Sequence, residues 1–300
     1  MLRKLFIFVL ICVSSSAIAN ISSKSDSASE EIKTDLTGIR ALVEEGDASA
    51  QAKLGIMYYN GIDVPQDYKK AFDLLNKAAA QNDIDAQILL SVMYLAGQGV
   101  KQDTKSADYW MRKAATQGDA KAQYLAGKMC SVDEYKLAAS WYQKSAEQGY
   151  VEAQYELARM YERGQKYYSG RGIPQDYKLA MSWYNKAAEQ GDARAKINLG
   201  LMYDLGEGVP KDHNLAINWY RQVVDHTDAS NLAKLGVLYS EANGVPLGYA
   251  IGNALLNISI LKGNTRATKA RDVFLSRMKP QEISQGQQLT KELTKPTSKK

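Results

Sequence analysis

"GDASAQAKLGIMYYNGIDVPQDYKKAFDLLNKAAAQ", Gly46–Gln81, is 36 residues long and is followed by a second 36-residue stretch of the same pattern, Asn82–Gln117. Its first half places Ala50, Leu54, Gly55, Met57 and Tyr58 at the spacing of one helix face. A glycine-containing loop follows and closes on Pro65-Gln66-Asp67. Proline suits a first helical turn, and a nearby aspartate caps the helix or favours its dipole. The second half is again helical in period, as Ala180, Trp183, Tyr184, Ala187 and Ala188 show in a later copy. The unit is therefore a helix–turn–helix, and it predicts an all-α chain.

The pattern continues with changes in length. Gly118–Gln148 is a short copy of 31 residues, Gly149–Gln190 a long one of 42, and Gly191–His226 returns to 36. Thr227–Lys262 is a degraded sixth copy. One position is small in every copy: Gly55, Ser91, Gly127, Ala158, Gly200 and Gly236. Glycine inside a helix costs roughly 1 kcal/mol against alanine, so this slot predicts very close approach of the partner helix. Two short helices cannot bury their own apolar faces, and neighbouring units must stack. At both ends the pattern predicts caps. Residues 30–45 place Ile32, Leu36, Ile39 and Val43 on one helical face. Residues 263–293 supply a packing helix with Ala267, Ala270 and Phe274, then a short helix from Pro280.

The recurring A-x-A-Q-x-x-L-G-x-M-Y…G-x-G-V-P-x-D…W-Y-x-K-A-A-x-Q-G resembles the Sel1-like repeat (SLR), a relative of the tetratricopeptide repeat. The resemblance covers residues 46–262, and Arg271–Leu289 is similar to the closing segment of bacterial SLR proteins. It implies a right-handed α-solenoid, a superhelix with a concave face, serving as an adaptor, scaffold or regulator. Some SLR proteins are associated with penicillin binding or hydrolysis. Those resemble a cysteine-paired subgroup, and this chain has neither the pairs nor a Ser-x-x-Lys.

Residues 1–19 read as a secretory signal: Arg3 and Lys4, the apolar Leu5–Val13, then Ala17-Ile18-Ala19. Export is expected, to the periplasm first and outside the cell second, with no membrane span in the mature chain. Residues 20–29 and 294–300 are polar and expected to be disordered. The formal charge of +5 is misleading. Loss of Arg3 and Lys4 leaves +3, and the last ten residues, with four Lys and one Glu, carry +3 themselves. The body is neutral, which argues against a nucleic-acid partner. A monomer binding a protein or peptide is expected.

The search for chemistry returns structural residues, and no catalytic residue, metal or cofactor is expected. Asp47, Asp83, Asp119, Asp192 and Asp228 share one repeat position, and Asp67, Asp103, Asp176 and Asp212 another. A residue present in every copy reads as a cap. His213 and His226 lack metal-ligand neighbours in sequence. Cys130 is the one cysteine beyond the signal and replaces a tyrosine. It reads as a packing residue or as an exposed thiol.

Partner-binding candidates occupy variable first-helix positions: apolar Ile56, Leu89 and Val92, then charged Lys128, Glu156, Arg159 and Arg163, then apolar Leu201, Leu205 and Val237. These either form an exposed groove or are half-buried against the second helices. The long copy adds about six residues near Lys166–Arg171, including Tyr167 and Tyr168. Either the two rings cover the shortened third copy near Cys130, or they bind a partner. A protein-interaction module is the first functional reading. A binder of cell-wall glycan or peptidoglycan fragments is the second, and a β-lactam or cell-wall hydrolase the third.

Overall fold

The computed structural model describes residues 36–164, 173–241 and 247–295. All regular structure among them is helical, in fifteen α-helices and one 3₁₀ turn. The chain forms two compact units, divided after Tyr150. The first holds α1 (Leu36–Glu44), α2 (Ala48–Asn60), α3 (Tyr68–Ala80), α4 (Ile84–Ala96), α5 (Thr104–Thr116), α6 (Ala120–Met129) and α7 (Tyr135–Glu147). The second holds α8 (Val151–Arg163), α9 (Tyr177–Glu189), α10 (Ala193–Leu205), α11 (His213–His226), α12 (Ala229–Glu241), α13 (Gly248–Leu261), α14 (Ala267–Leu275) and α15 (Pro280–Thr294). The architecture is an all-α solenoid of helix pairs; within the units α3 packs on α4, α5 on α6 and α9 on α10, the second helix of one repeat on the first helix of the next.

The repeated aspartates are the caps. Asp47, Asp83, Asp119 and Asp192 accept the amides of Ala50, Ala86, Ala122 and Ala195 at 2.6–3.0 Å. Asp67, Asp103, Asp176 and Asp212 cap the second helices in the same way. Each satisfies amides that a helix start leaves open, and that duty explains their presence in copy after copy. At the other end of α2, α4 and α10, Gly61, Gly97 and Gly206 take the left-handed conformation that turns the chain back.

The small-residue position is where the two helices of a repeat meet. A Cβ on Gly55 would sit 2.8 Å from Leu75 Cγ, and one on Gly127 would sit 2.8 Å from Tyr142 Cε1. On Gly200 it would enter the ring of Tyr220, and on Gly236 it would stand 2.8 Å from Leu256 Cγ. Ser91 fits the slot by donating to the Ala107 carbonyl at 2.7 Å. A second tie crosses the other end of four of the pairs. Gln81, Gln117, Gln148 and Gln190 donate to Gln51, Gln87, Gln123 and Gln154 at 2.8–3.0 Å. The fifth repeat replaces both members at once, with Lys196 and His226.

Loop length varies without disturbing this frame. In the standard loops the amide of Asp67, Asp103 or Asp212 closes on the carbonyl of Tyr58, Tyr94 or Tyr203 at 2.9–3.0 Å. The long fourth loop closes identically, Asp176 on Tyr161 at 2.9 Å. Its inserted Lys166–Arg171, with Tyr167 and Tyr168, lies outside the described residues, and with it the expected contact to Cys130. The short third loop shrinks to a 3₁₀ turn, Val132–Glu134, held to α5 by a 3.0 Å Arg112–Glu134 ion pair. Cys130 is half-buried at the end of α6, its thiol directed at the Ala126 carbonyl. Burial pushes that thiol up to about 11, so it is not a ready nucleophile at neutral pH.

At the N-terminal end, α1 buries Ile39 against Leu54 and Met57. The C-terminal cap is larger than its sequence suggests. α15 runs 15 residues where a short helix was expected. Gly286 lets it cross α13 closely, and Leu289 and Leu293 join the core around Tyr220 and Ile251. His213 clips α15 in place: Nδ1 meets Asp204 at 2.6 Å and Nε2 meets Glu292 at 3.1 Å. The Asp204 hydrogen bond raises the His213 pKa against the opposing effect of burial, and the Glu292 bond adds to it. For Glu292, burial acts upward but is outweighed by the bonds from Gln288 and His213, and its pKa is lowered.

Two outcomes follow. Gly200→Ala is expected to lose about 1–3 kcal/mol in urea denaturation, the cost of overpacking, where alanine at an unobstructed site would gain roughly 1 kcal/mol. The His213 clip is complete below about pH 6.5, the ordinary histidine value, and fails as pH rises through the raised value. It also fails at the acid end, as pH falls through the lowered value of Glu292. Amide exchange in α15 should therefore accelerate from pH 6 to pH 9 beyond the intrinsic rate, and His213→Tyr should remove that extra dependence.

Candidate partner-binding surface

The predicted groove divides once burial is known. Leu89 and Val92 are 6% and 3% exposed and belong to the core that also packs Ile56 and Tyr58. Leu201 is 5% exposed and packs with Tyr220 and Tyr239. These three apolar residues are therefore interior, not groove-lining, because they pack into the cores formed with neighbouring helices. Ile56, Leu205 and Val237 are half-buried, and Val237 packs against the Phe274 cluster. Lys128 is half-buried, with its ammonium 5.4 Å from the Tyr124 ring centroid. Glu156 and Arg159 are half-buried, and Arg163 is exposed.

The polar part of this surface is organised in the second unit. Arg159 and Arg194 stand 5.7 and 4.3 Å from the Tyr155 ring centroid. Each guanidinium has a carboxylate: Glu156 at 3.0 Å for Arg159, and Asp192 at 2.5 Å for Arg194. Burial opposes the charged forms, yet the acidic neighbours hold both arginines above their ordinary pKa. Cation–π stacking on a partly desolvated ring fixes the planes of both side chains. Beneath them runs a buried chain of hydrogen bonds. Tyr239 donates to Asn198 Oδ1 at 2.6 Å, Asn198 Nδ2 donates to the Tyr184 hydroxyl at 2.7 Å, and Tyr184 donates to Glu162. Burial raises the Glu162 pKa, with the Tyr184 bond opposing it.

Sequence reasoning passed over most of this network. Asn198 stands at a position that varies among the repeats, as Lys53, Leu89, Leu125 and Glu156, so it carried no signal of its own. Glu162 and Asp204 occupy one repeat position and Tyr184 and Tyr220 another. In each case the tyrosine donates to the carboxylate, Tyr220 to Asp204 at 2.9 Å. In the first two repeats the same positions hold Tyr59 and Leu95 with Leu75 and Met111, and no carboxylate. Paired change at two positions marks contact, but it is visible only once the repeats are aligned on their loops.

No helix among the described residues is long and apolar enough to cross a membrane. No group of three His, Cys, Asp or Glu side chains among them is arranged to hold a metal ion.

Stacked helical repeats build an extended surface of the kind that repeat proteins use for binding. The family model of the Sel1 repeat matches residues 48–83, 84–119, 121–150, 151–192 and 193–224, and the chain belongs to the Sel1 repeat family. The sixth copy lies beyond the match, yet α12 and α13 pair as the others do. Sel1 repeats act in protein–protein interaction. A Sel1 repeat protein from Oxalobacter formigenes is 28% identical, over 78% of this chain and 89% of that one, with a TM-score of 0.55. A protective antigen of uropathogenic Escherichia coli with an SLR fold is 27% identical over 85% of this chain, with a TM-score of 0.47. The match spans 62% of that antigen's own length. An immunity protein from Pseudomonas aeruginosa is 18% identical over 82% of this chain and 83% of that one, with a TM-score of 0.41. No curated protein sequence matches.

Tyr184→Phe tests the buried chain. It strips the donor from Glu162 and the acceptor from Asn198, and should cost about 1–3 kcal/mol in denaturant unfolding. A cost near zero would show that the network does not hold the surface.

Proposed function

We propose that this chain is an exported protein-interaction module that binds a protein or peptide partner through the first-helix face of its second unit. The observation that carries the reading is the Arg159–Tyr155–Arg194 stack over a satisfied buried network. At the Arg159 position the first two copies carry the apolar Ile56 and Val92, so stacking by itself does not call for a guanidinium there. Buried polar chains preorganise what stands on them, and a preorganised arginine–aromatic surface suits recognition of a partner. Family membership supports a protein as the partner. Export rests on the signal-like residues 1–19, and a periplasmic adaptor, regulator or inhibitor of an envelope or secreted protein fits both features. The module acts as a monomer.

The test is site-specific photocrosslinking in the full chain. A crosslinker in place of Arg159 or Lys234 should capture one protein in a stoichiometric complex. The same group in place of Leu179, which is exposed on the second helix α9, should not. Equal capture from Leu179, or recovery of wall glycan alone, would overturn the reading.

A further inference from the structure

The second unit has two neighbouring depressions on and beside α12. One, of about 400 Å³, includes Asp192, Arg194, His226, Asp228, Asn231 and Lys234 in its wall. The other, of about 740 Å³, lies between α12 and the start of α14 and includes Ser230, Lys234, Val237, Thr265, Arg266 and Ala270. Lys234 belongs to both walls. In the larger one Lys234 and Arg266 are the charged residues, and no carboxylate lines it among the described residues. The Lys234 ammonium is engaged by the neutral Asn231 amide at 3.1 Å. This contrasts with Arg159 and Arg194, each of which has its own carboxylate.

We infer that the depression between α12 and α14 receives an acidic peptide segment carrying an aliphatic side chain, its carboxylates meeting Lys234 and Arg266. The inference deepens the proposed function and rests on the partner being a protein. Charge decides the sign of the ligand: two cations without a carboxylate attract an anion, and the guanidinium of Arg266 presents the fork that matches a carboxylate. The wall decides its kind. Val237, Ala233, Ala267 and Ala270 line the space between the cations. A small inorganic anion leaves such a wall wet, whereas an aliphatic side chain buries it. Size agrees, since a pocket in the usual ligand range exceeds one carboxylate. The second depression is lined by Asp192 and Asp228, which engage Arg194 and Asn231, so the acidic segment is confined to the larger one.

The experiment is calorimetric titration of the full chain with a short peptide of alternating Glu and Leu, its Gln/Leu counterpart, and tripolyphosphate. The Glu/Leu peptide should bind, and the Gln/Leu peptide should bind at least about tenfold more weakly. The Lys234→Glu, Arg266→Glu double variant should lose at least about tenfold in affinity for the Glu/Leu peptide. Lys53→Glu should bind as the parent does, because Lys53 is exposed at the same repeat position in the first copy. Both sites are on the surface, so thermal unfolding of each variant should match the parent. Equal binding of the two peptides, an equal loss in Lys53→Glu, or tripolyphosphate binding as tightly as the peptide would overturn the inference. If the Glu/Leu peptide fails while the double variant still captures the crosslinked partner, the acidic-segment inference falls and the interaction module stands. If the peptide binds as expected and no protein partner is captured, the inference holds and the broader reading falls.

Discussion

The close approach of two helices at one small residue per repeat is the constraint on which the rest of the structure depends. Where Gly55, Gly127, Gly200 and Gly236 face the second helix, there is no room for a Cβ beside Leu75, Tyr142, Tyr220 and Leu256. That contact sets the spacing within a pair. The Gln–Gln bonds then set it at the opposite end in four of the repeats. With the pair fixed in this way, the loop between helices can change length while the helices keep their spacing. The third and fourth repeats use that freedom in opposite directions. The fourth still closes Asp176 on Tyr161 as its neighbours close theirs.

Fixed pairing also makes room for buried polarity. A carboxylate inside a helical core is costly unless it is bonded. Here Glu162 and Asp204 each receive a tyrosine hydroxyl from the second helix of the same repeat. The reach is reproducible only because the two helices stand at a fixed distance. From Glu162 the bonds pass through Tyr184 and Asn198 to Tyr239, so three successive repeats share one polar thread. In the fifth repeat Asp204 also holds His213, and through it α15. The candidate surface and the C-terminal cap thus each rest on a carboxylate–tyrosine pair at the same two repeat positions.

Most of the fold was legible in the sequence, and the candidate site much less so. Capping aspartates, loop glycines and the small-residue slot announce themselves because they recur, and recurrence separates scaffold from chance. The site departs from recurrence, so its residues appear one at a time with no partner in view. Arg159 and Glu156 were found as variable positions, but Tyr155 and Arg194 were not. The ring that joins them is a feature of packing across repeats. Leu89, Val92 and Leu201 were misplaced for a related reason: helical spacing gives the face of a residue, but not whether a neighbouring helix covers that face.

The sequence by itself determined the helix pairs, their caps, their period and the need to stack, because each is a local property of the chain repeated at a fixed interval. Tertiary structure alone decided which variable positions reach solvent, which carboxylates meet which tyrosines, and that Lys234 and Arg266 share a depression. Those outcomes depend on distances between residues 20 to 80 positions apart in cases such as Tyr184–Glu162 and His213–Glu292. Such distances are set by how closely the helices pack, a quantity that the period of a sequence does not contain.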